Sequence, residues 1–438
     1  MTHKARAGRL SRDALPRVEG EGAMHVEIAD GEVVDVQLNI YEPPRFYEGF
    51  LRGRAHTEPP DITARICGIC PVAYQMSACL AIEDACGVTT PSEVTELRRL
   101  LYCGEWIESH TLHVHMLHAP DFFGVDSVVD LAALDRPAVE RGLELKKIGN
   151  ELLELVGGRA IHPVNVRIGG FYRAPDAAAL RTFRPRLERA LELAVDVTQW
   201  VAGFDFPVLG TDHELVALAD GDRYPVFGDR IVSDRGLDIA VADFPEHVEE
   251  IHVAHSTAKH ARLLARGNYL VGPLARFTLA REKLGPIATE AADRAGLGGE
   301  CRDPFRSIVV RAVEVVHACE EALRVVDGYV PFAPGSVDVP PRAATGHGAT
   351  EAPRGLLYHR YTLDEHGIIV DADIVPPTAQ NQPSIEHDLF HFVEANIDLP
   401  DDELARAAEV TIRNHDPCIS CATHFLDVTV DRRGEART

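Results

Sequence analysis

Two stretches decide how this chain is read: Arg65-Ile66-Cys67-Gly68-Ile69-Cys70-Pro71 and Asp416-Pro417-Cys418-Ile419-Ser420-Cys421-Ala422-Thr423-His424, at opposite ends of a 438-residue sequence. In each, two residues separate two cysteines, a spacing that lets both thiolates reach one metal ion. Four thiolates on one site select a soft or borderline ion such as zinc, iron, nickel or copper over magnesium or calcium. Spacing alone leaves the choice open. A structural four-cysteine zinc site usually takes both pairs from a compact module with a shorter separation. A thioredoxin-like redox pair needs one pair in a strand-to-helix setting and leaves the other pair unexplained.

The rest of the composition narrows the setting. With 44 Lys plus Arg against 68 Asp plus Glu, the formal charge is −24, and no basic tract offers a footprint for nucleic acid. A hydrophobic share of 45% and a charged share of 26% belong to a globular chain with a sizeable core, not a disordered one. No apolar run approaches the roughly 18 residues of a membrane span, and residues 1–13 lack the apolar stretch of a signal peptide. A cytoplasmic protein with free thiols is expected.

Outward from the first cysteine pair, Met24, Val26 and Ile28 alternate with polar residues, as do Val34, Val36, Leu38 and Ile40, across an Asp30-Gly31 turn. This predicts a β-hairpin. Thr90-Pro91-Ser92-Glu93 has the pattern of a capping box with Pro91 at the first helical position, opening a helix through Leu100, Leu101, Trp106 and Ile107 toward Leu117. Helical spacing also marks residues 135–155, 176–202 (interrupted at Pro185) and 307–326, with stops at Gly157-Gly158 and Asp327-Gly328. Residues 358–375 read as β structure around a His366-Gly367 turn, and 384–396 and 401–412 as helices. Residues 331–350, rich in Pro, Gly and Ala, are either a boundary or a loop inside one domain. The fold class expected is α+β, predominantly helical.

Two further groups of residues invite a metal reading. His110, His113, His115 and His118 do not share one face of a helix, so packing and hydrogen bonding are expected of them. Cys79, Cys86, Cys103, Cys301 and Cys319 lie mostly on apolar helical stretches, where cysteine acts as a small hydrophobe, and are expected not to be ligands.

The neighbours of the two cysteine pairs closely resemble the N- and C-terminal signatures of the nickel-iron hydrogenase large subunit. The resemblance continues through Arg17-Val18-Glu19-Gly20, residues 48–54 and Ala352-Pro353-Arg354-Gly355, in the family's order over essentially the whole chain. It implies a central helical bundle with small peripheral β-sheets, a catalytic domain over residues 1–424, and a tail, 425–438, removed by a maturation protease after nickel-insertion proteins have acted. The implied activity is reversible heterolytic cleavage of H2 to protons and electrons.

By that resemblance, Cys67 and Cys418 are terminal thiolates on nickel, while Cys70 and Cys421 also bridge to an iron carrying CO and cyanide. Dihydrogen has no charge or dipole, so a Lewis-acidic metal facing a base must polarise it. Cys418 is the implied proton acceptor and Glu19 passes the proton on. Pro353 and Arg354 border the open site. Arginine is almost always protonated, so its implied role is positioning and charge stabilisation, with Asp416 orienting it. Glu48 and His424 match a magnesium site completed by a backbone carbonyl near Gln382. Two departures stand out: Tyr74 replaces a histidine that hydrogen-bonds a bridging cysteine in many members, and Ser109 replaces an aspartate of membrane-associated uptake enzymes.

No further cysteine cluster suits an electron-transfer centre, so the resemblance implies an iron–sulfur small subunit in a heteromeric complex. Gly158-Arg159-Ala160-Ile161-His162-Pro163 looks most like the cytoplasmic bidirectional group, whose diaphorase subunits bind NAD(P) and flavin. No nucleotide-binding glycine fingerprint is evident in this chain, so the nicotinamide site would lie on such a partner. The alternatives are the same chemistry with another acceptor, such as a disulfide reductase or a sulfur-reducing partner, and a noncatalytic scaffold of a respiratory complex. Scaffold relatives lack the four cysteines.

Overall fold

Four long helices, Ser92–Leu112, Arg136–Gly157, Ala177–Ala202 and Ser307–Gly328, pack in a ring, each against the next, at the centre of the computed structural model, which describes residues 8–423. Their apolar stripes converge: Leu101, Leu145, Leu152, Leu187, Val197 and Val313 share one buried core. Each such side chain contributes about 1.5–3 kcal/mol relative to exposure. Asp135 caps the second helix by accepting the Ala138 N–H at 3.0 Å, and Gly158 ends it at φ +80. His424 and the tail 425–438 lie outside the described residues.

Details of these helices differ from the sequence pattern. Pro91 is extended (φ −59, ψ 154) and stands outside the helix, which begins at Ser92 without a side-chain cap, so the capping box does not form. Its carbonyl instead accepts the Val94 and Thr95 N–H groups at 3.1 and 3.2 Å. After Leu112 the chain widens into a π-helical turn, His113–His118, before Ala119–Phe122. Pro185 does not interrupt its helix; it lies on the exposed face, as does Arg181 one turn before it, while Leu180, Leu187 and Ala190 are buried around it.

The expected hairpin is present as strands Gly22–Ala29 and Glu32–Ile40, joined through Asp30 (φ +54) and Gly31 (φ +88). An unforeseen strand, Gly8–Arg12, adds to its edge. Met24, Val26, Ile28 and Leu38 form the inner face, packed on Ile385, Leu389, Leu404 and Ile412. Those four come from helices Pro377–Ala395 and Asp401–Asn414. The first of these starts seven residues earlier than the pattern suggested, with Pro377 in its first turn and Pro383 inside it.

Strands Ala344–Ala352, Gly355–Leu363 and Ile369–Val375 make an antiparallel sheet in chain order. The first includes part of the stretch that reads as a boundary or loop. It is glycine-rich because it presses against helix Pro71–Cys86: a Cβ at Gly346 would stand 2.1 Å from the Ala81 carbonyl oxygen, and one at Gly348 2.5 Å from the Ala81 nitrogen. The remaining sheets are four-stranded (Tyr269–Leu270, Glu214–Ala219, Arg230–Ser233, Asp238–Ala240) and two pairs, Val166–Arg167 with Gly170–Phe171 and Val248–Ile251 with His260–Leu263. Among the described residues no helix is long and apolar enough to cross a membrane.

Candidate metal centre

Cys67 follows the short turn Ala64–Ile66, and Cys70 is the N-cap of helix Pro71–Cys86. Cys418 and Cys421 lie just beyond helix Asp401–Asn414, Cys421 within the turn Ser420–Ala422. The fold brings all four sulfurs within 4.8 Å of one another, with Cys67 3.5 Å from Cys418 and Cys70 3.6 Å from Cys421. All four residues are buried and none is in a disulfide.

The chain's own hydrogen bonds hold the two motifs together. Arg45 is the main staple: its Nη2 donates to the carbonyls of Ile66, at 2.7 Å, and Ser420, and its backbone N–H donates to Thr423 at 2.6 Å. The Glu19 carbonyl accepts the Ile419 N–H at 3.0 Å, and Thr378 Oγ1 accepts the Cys418 N–H at 3.0 Å. Buried Glu105 takes the Val72 and Ala73 N–H groups at 2.6 and 3.1 Å, satisfying the helix end that carries Cys70. Arg45 and Glu105 carry no motif signal; each acts on backbone atoms brought near only by the fold.

Glu19 reaches the cluster directly. Its Oε2 accepts from Cys418 Sγ at 3.1 Å and from the Ser420 N–H at 3.0 Å. Burial, then the charge of Cys67, raises its carboxyl above the ordinary range. Burial and the adjoining sulfurs likewise raise Cys418, while hydrogen bonds from Cys418 and its neighbours hold Cys67 down.

Arg354 lies within electrostatic reach of Cys418, Cys70 and Cys67. Its Nε donates to the Asp416 carbonyl at 2.7 Å and its Nη2 to Asp416 Oδ1 at 3.1 Å, Asp416 standing at φ +52. Burial would lower the guanidinium, but the charges of Asp416 and the cysteines outweigh it and raise Arg354. Behind it, buried Arg276 donates to the Ala352 and Pro353 carbonyls at 2.9 and 3.0 Å and pairs with Glu314 and Glu351, fixing the turn that presents Arg354. Arg354 Nη1 and Asp416 Oδ2 are buried without a protein partner, polar atoms that a group bound beside the sulfurs would satisfy. The donor set and these two atoms fit a thiolate-held metal centre. Tyr74 is buried against Cys421, and burial followed by that sulfur's charge keeps its phenol protonated. Ser109 is buried with its hydroxyl unpartnered.

Glu48 lies in a separate carboxylate group. Its Oε1 accepts the Ile374 N–H at 3.0 Å, and burial, followed by the charges of Asp373 and Glu250, pushes it up to about 8. Burial likewise pushes Glu250 up to about 7, with Lys259 Nζ 3.4 Å away. Such buried oxygens suit a hard cation. The Gln382 side-chain amide donates to the Leu38 carbonyl at 3.0 Å and Ser256 Oγ at 3.1 Å. The segment that meets Glu48 is the backbone at Ile374, and Glu250, Asp373 and Lys259, spread over three elements, were not legible as a group.

The four clustered histidines pack and hydrogen-bond. His110 Nε2 lies 2.9 Å from Glu314, and His113 and His118 lie 2.8 and 2.9 Å from the Arg413 carbonyl and Asn414 Oδ1. His115 stacks on Trp200. The other five cysteines are buried apart from the cluster, and burial pushes Cys79 and Cys301 up to about 12.

Comparison with known proteins gives a consistent set of likenesses. A family model described as nickel-dependent hydrogenase matches residues 45–140 and 308–424. Sulfhydrogenase 1 subunit alpha of Pyrococcus furiosus is 33% identical over 424 residues, covering 95% of this chain and 98% of the relative. NAD-reducing hydrogenase HoxS subunit beta of Cupriavidus necator is 28% identical, covering 95% of each chain. Among solved structures, an NAD+-reducing [NiFe]-hydrogenase in the H2-reduced state aligns at a TM-score of 0.83 and 26% identity, over 96% of this chain and 100% of that one.

Proposed function

The chain belongs to the nickel-dependent hydrogenase family as a catalytic large subunit, and from that premise we propose that it cleaves H2 reversibly and heterolytically at a centre held by Cys67, Cys70, Cys418 and Cys421. The observation that carries this reading is the convergence of four buried thiols from opposite ends of the chain within 4.8 Å. Cys67 and Cys418 would be the terminal ligands of nickel, and Cys70 and Cys421 would serve both nickel and an iron bearing CO and cyanide. When bound, that pair of metals supplies the Lewis acidity that polarises H2.

The protein's own groups handle the proton. Cys418 Sγ receives it and hands it to Glu19 Oε2, whose raised carboxyl is suited both to accept and to release. Arg354 stays protonated and stabilises charge beside the sulfurs, while Asp416 and the Pro353 turn keep it in position. Glu48 and His424 would hold magnesium together with a backbone carbonyl near Gln382, and the Ile374 N–H already orients Glu48. Residues 1–424 form the catalytic domain, and the tail 425–438 is removed by a maturation protease once nickel-insertion proteins have acted.

Electrons pass to an iron–sulfur small subunit and on to NAD(P) through flavin-containing diaphorase subunits in the cytoplasm, a reading supported by the likeness to the NAD+-reducing hydrogenase structure. Transfer to a sulfur-reducing partner is the second reading, favoured by the 33% identity with a sulfhydrogenase alpha subunit. H2-dependent reduction of NAD+, NADP+ and polysulfide by the complex purified from a maturation-competent host tests both. Nickel-loaded complex that neither consumes nor evolves H2 with any acceptor or dye contradicts the proposal.

A further inference from the structure

Helix Pro377–Ala395 brings Glu386 to two histidines, His255 in the loop after strand Val248–Ile251 and His260 at the start of His260–Leu263. One donor atom from each of the three lies within 4.8 Å of the others. We propose that His255, His260 and Glu386 form a second metal site, for a zinc ion, that clamps this loop behind the C-terminal cysteine motif.

The chemistry of the three groups supports the assignment. His260 is 5% exposed and its Nε2 has no hydrogen-bond partner, a nitrogen left open to a ligand. Glu386 is oriented by the Leu38 N–H, which donates to its Oε1 at 2.9 Å, and His255 Nε2 lies 2.8 Å from the same oxygen. That leaves the second carboxylate oxygen for an ion. The side chains of His255 and Glu386 are 20% and 16% exposed, a path for entry from solvent. Two imidazoles and a carboxylate favour zinc and its transition-metal neighbours over magnesium or calcium. The neighbouring group of His213, His387 and Asp388 lacks this need, because the Asp388 oxygens are already taken by His213 at 2.5 Å and His415 at 2.9 Å.

The place of the site gives it a role. Thr257 donates its N–H to the Ile40 carbonyl at 2.7 Å and its hydroxyl to the Glu42 carbonyl at 2.7 Å, and Ala258 packs with Ile40, Ile419 and Ala422. Ile419 stands between Cys418 and Cys421. An ion joining the loop to helix Pro377–Ala395 therefore braces the wall of the cysteine site.

The test uses the purified complex with its nickel and iron in place, equilibrated with zinc and then desalted. Metal analysis should find extra zinc in the wild type that is lost in His260→Gln and Glu386→Gln, with nickel and iron unchanged. Added zinc should raise the Tm of chelator-treated wild type and not of either variant. Cobalt(II) offered to the wild type should give d–d bands without a thiolate charge-transfer band, a readout that needs no variant. Zinc retained equally by both variants, no zinc uptake by the wild type, or a cobalt spectrum of thiolate type alone would overturn the assignment.

Discussion

Arg354 touches Asp416 with two of its nitrogens and leaves the third, Nη1, without a protein partner beside the sulfurs. Lysine keeps the charge and loses the fork, so Arg354→Lys should retain nickel and iron while H2 turnover per nickel falls by about 10²-fold, the usual cost of one aimed donor. Unchanged turnover would remove Arg354 from the mechanism. Glu19→Gln keeps an acceptor for the Ser420 N–H and cannot carry a proton, so H2/D2O exchange should slow by about 10²-fold or more with metal content intact. Glu48 and Glu250 give a pH signature. Raised to about 8 and about 7, they keep protons in the folded chain that unfolded carboxyls, at 4.5, have released, so stability declines as pH rises toward 8. Buried neutral histidines such as His110 and His260, with folded values of about 4 against 6.5, contribute the opposite trend, complete by about pH 6.5. Between pH 6.5 and 8, the Tm of chelator-treated wild type should therefore fall more steeply than that of Glu48→Gln, and magnesium should offset the fall. Parallel slopes for the two proteins would contradict the assignment.

Among the elements, strand Ala344–Ala352 and helix Pro71–Cys86 make the closest approach that bears on the site, since the helix carries Cys70 at its start. Gly346→Ala forces a methyl into backbone and should cost at least about 1–3 kcal/mol, read as a lower denaturation midpoint, with partial loss of nickel. A midpoint equal to wild type would mean the two elements are not locked together. Arg45→Ala should leave the fold standing but lower nickel retention, because the carbonyls of Ile66 and Ser420 lose their shared donor. Local signals made some of this legible in advance. The Asp30-Gly31 turn between alternating strands, the long amphipathic helices and the glycine stop at Gly158 all act through neighbours in sequence. Strand Ala344–Ala352 was obscured because close packing demands the same glycines that mark a loop. Pro185 misled because its effect depends on which face of the helix it occupies. Arg45, Glu105 and Arg276 were invisible for a related reason: each partners backbone or charges that only the folded chain brings near.

At the scale of the whole molecule, the bundle and sheets serve to bring two short motifs from opposite ends of the chain to one buried point. The four cysteines could be read in advance because their local motifs are dense and specific. The charged groups around Glu48 could not, since Glu250, Lys259 and Asp373 come from separate elements. The same geometry makes the site cooperative: losing any sulfur should release the shared metals, not weaken one bond. Metal analysis of the wild-type complex and of Cys418→Ser, both from a host with the maturation machinery, tests this most directly. Nickel and iron in equal amounts in the wild type, with infrared bands of iron-bound CO and cyanide, and nickel lost in Cys418→Ser, are the predicted result. Zinc alone at the four cysteines, without nickel or those bands, would contradict it.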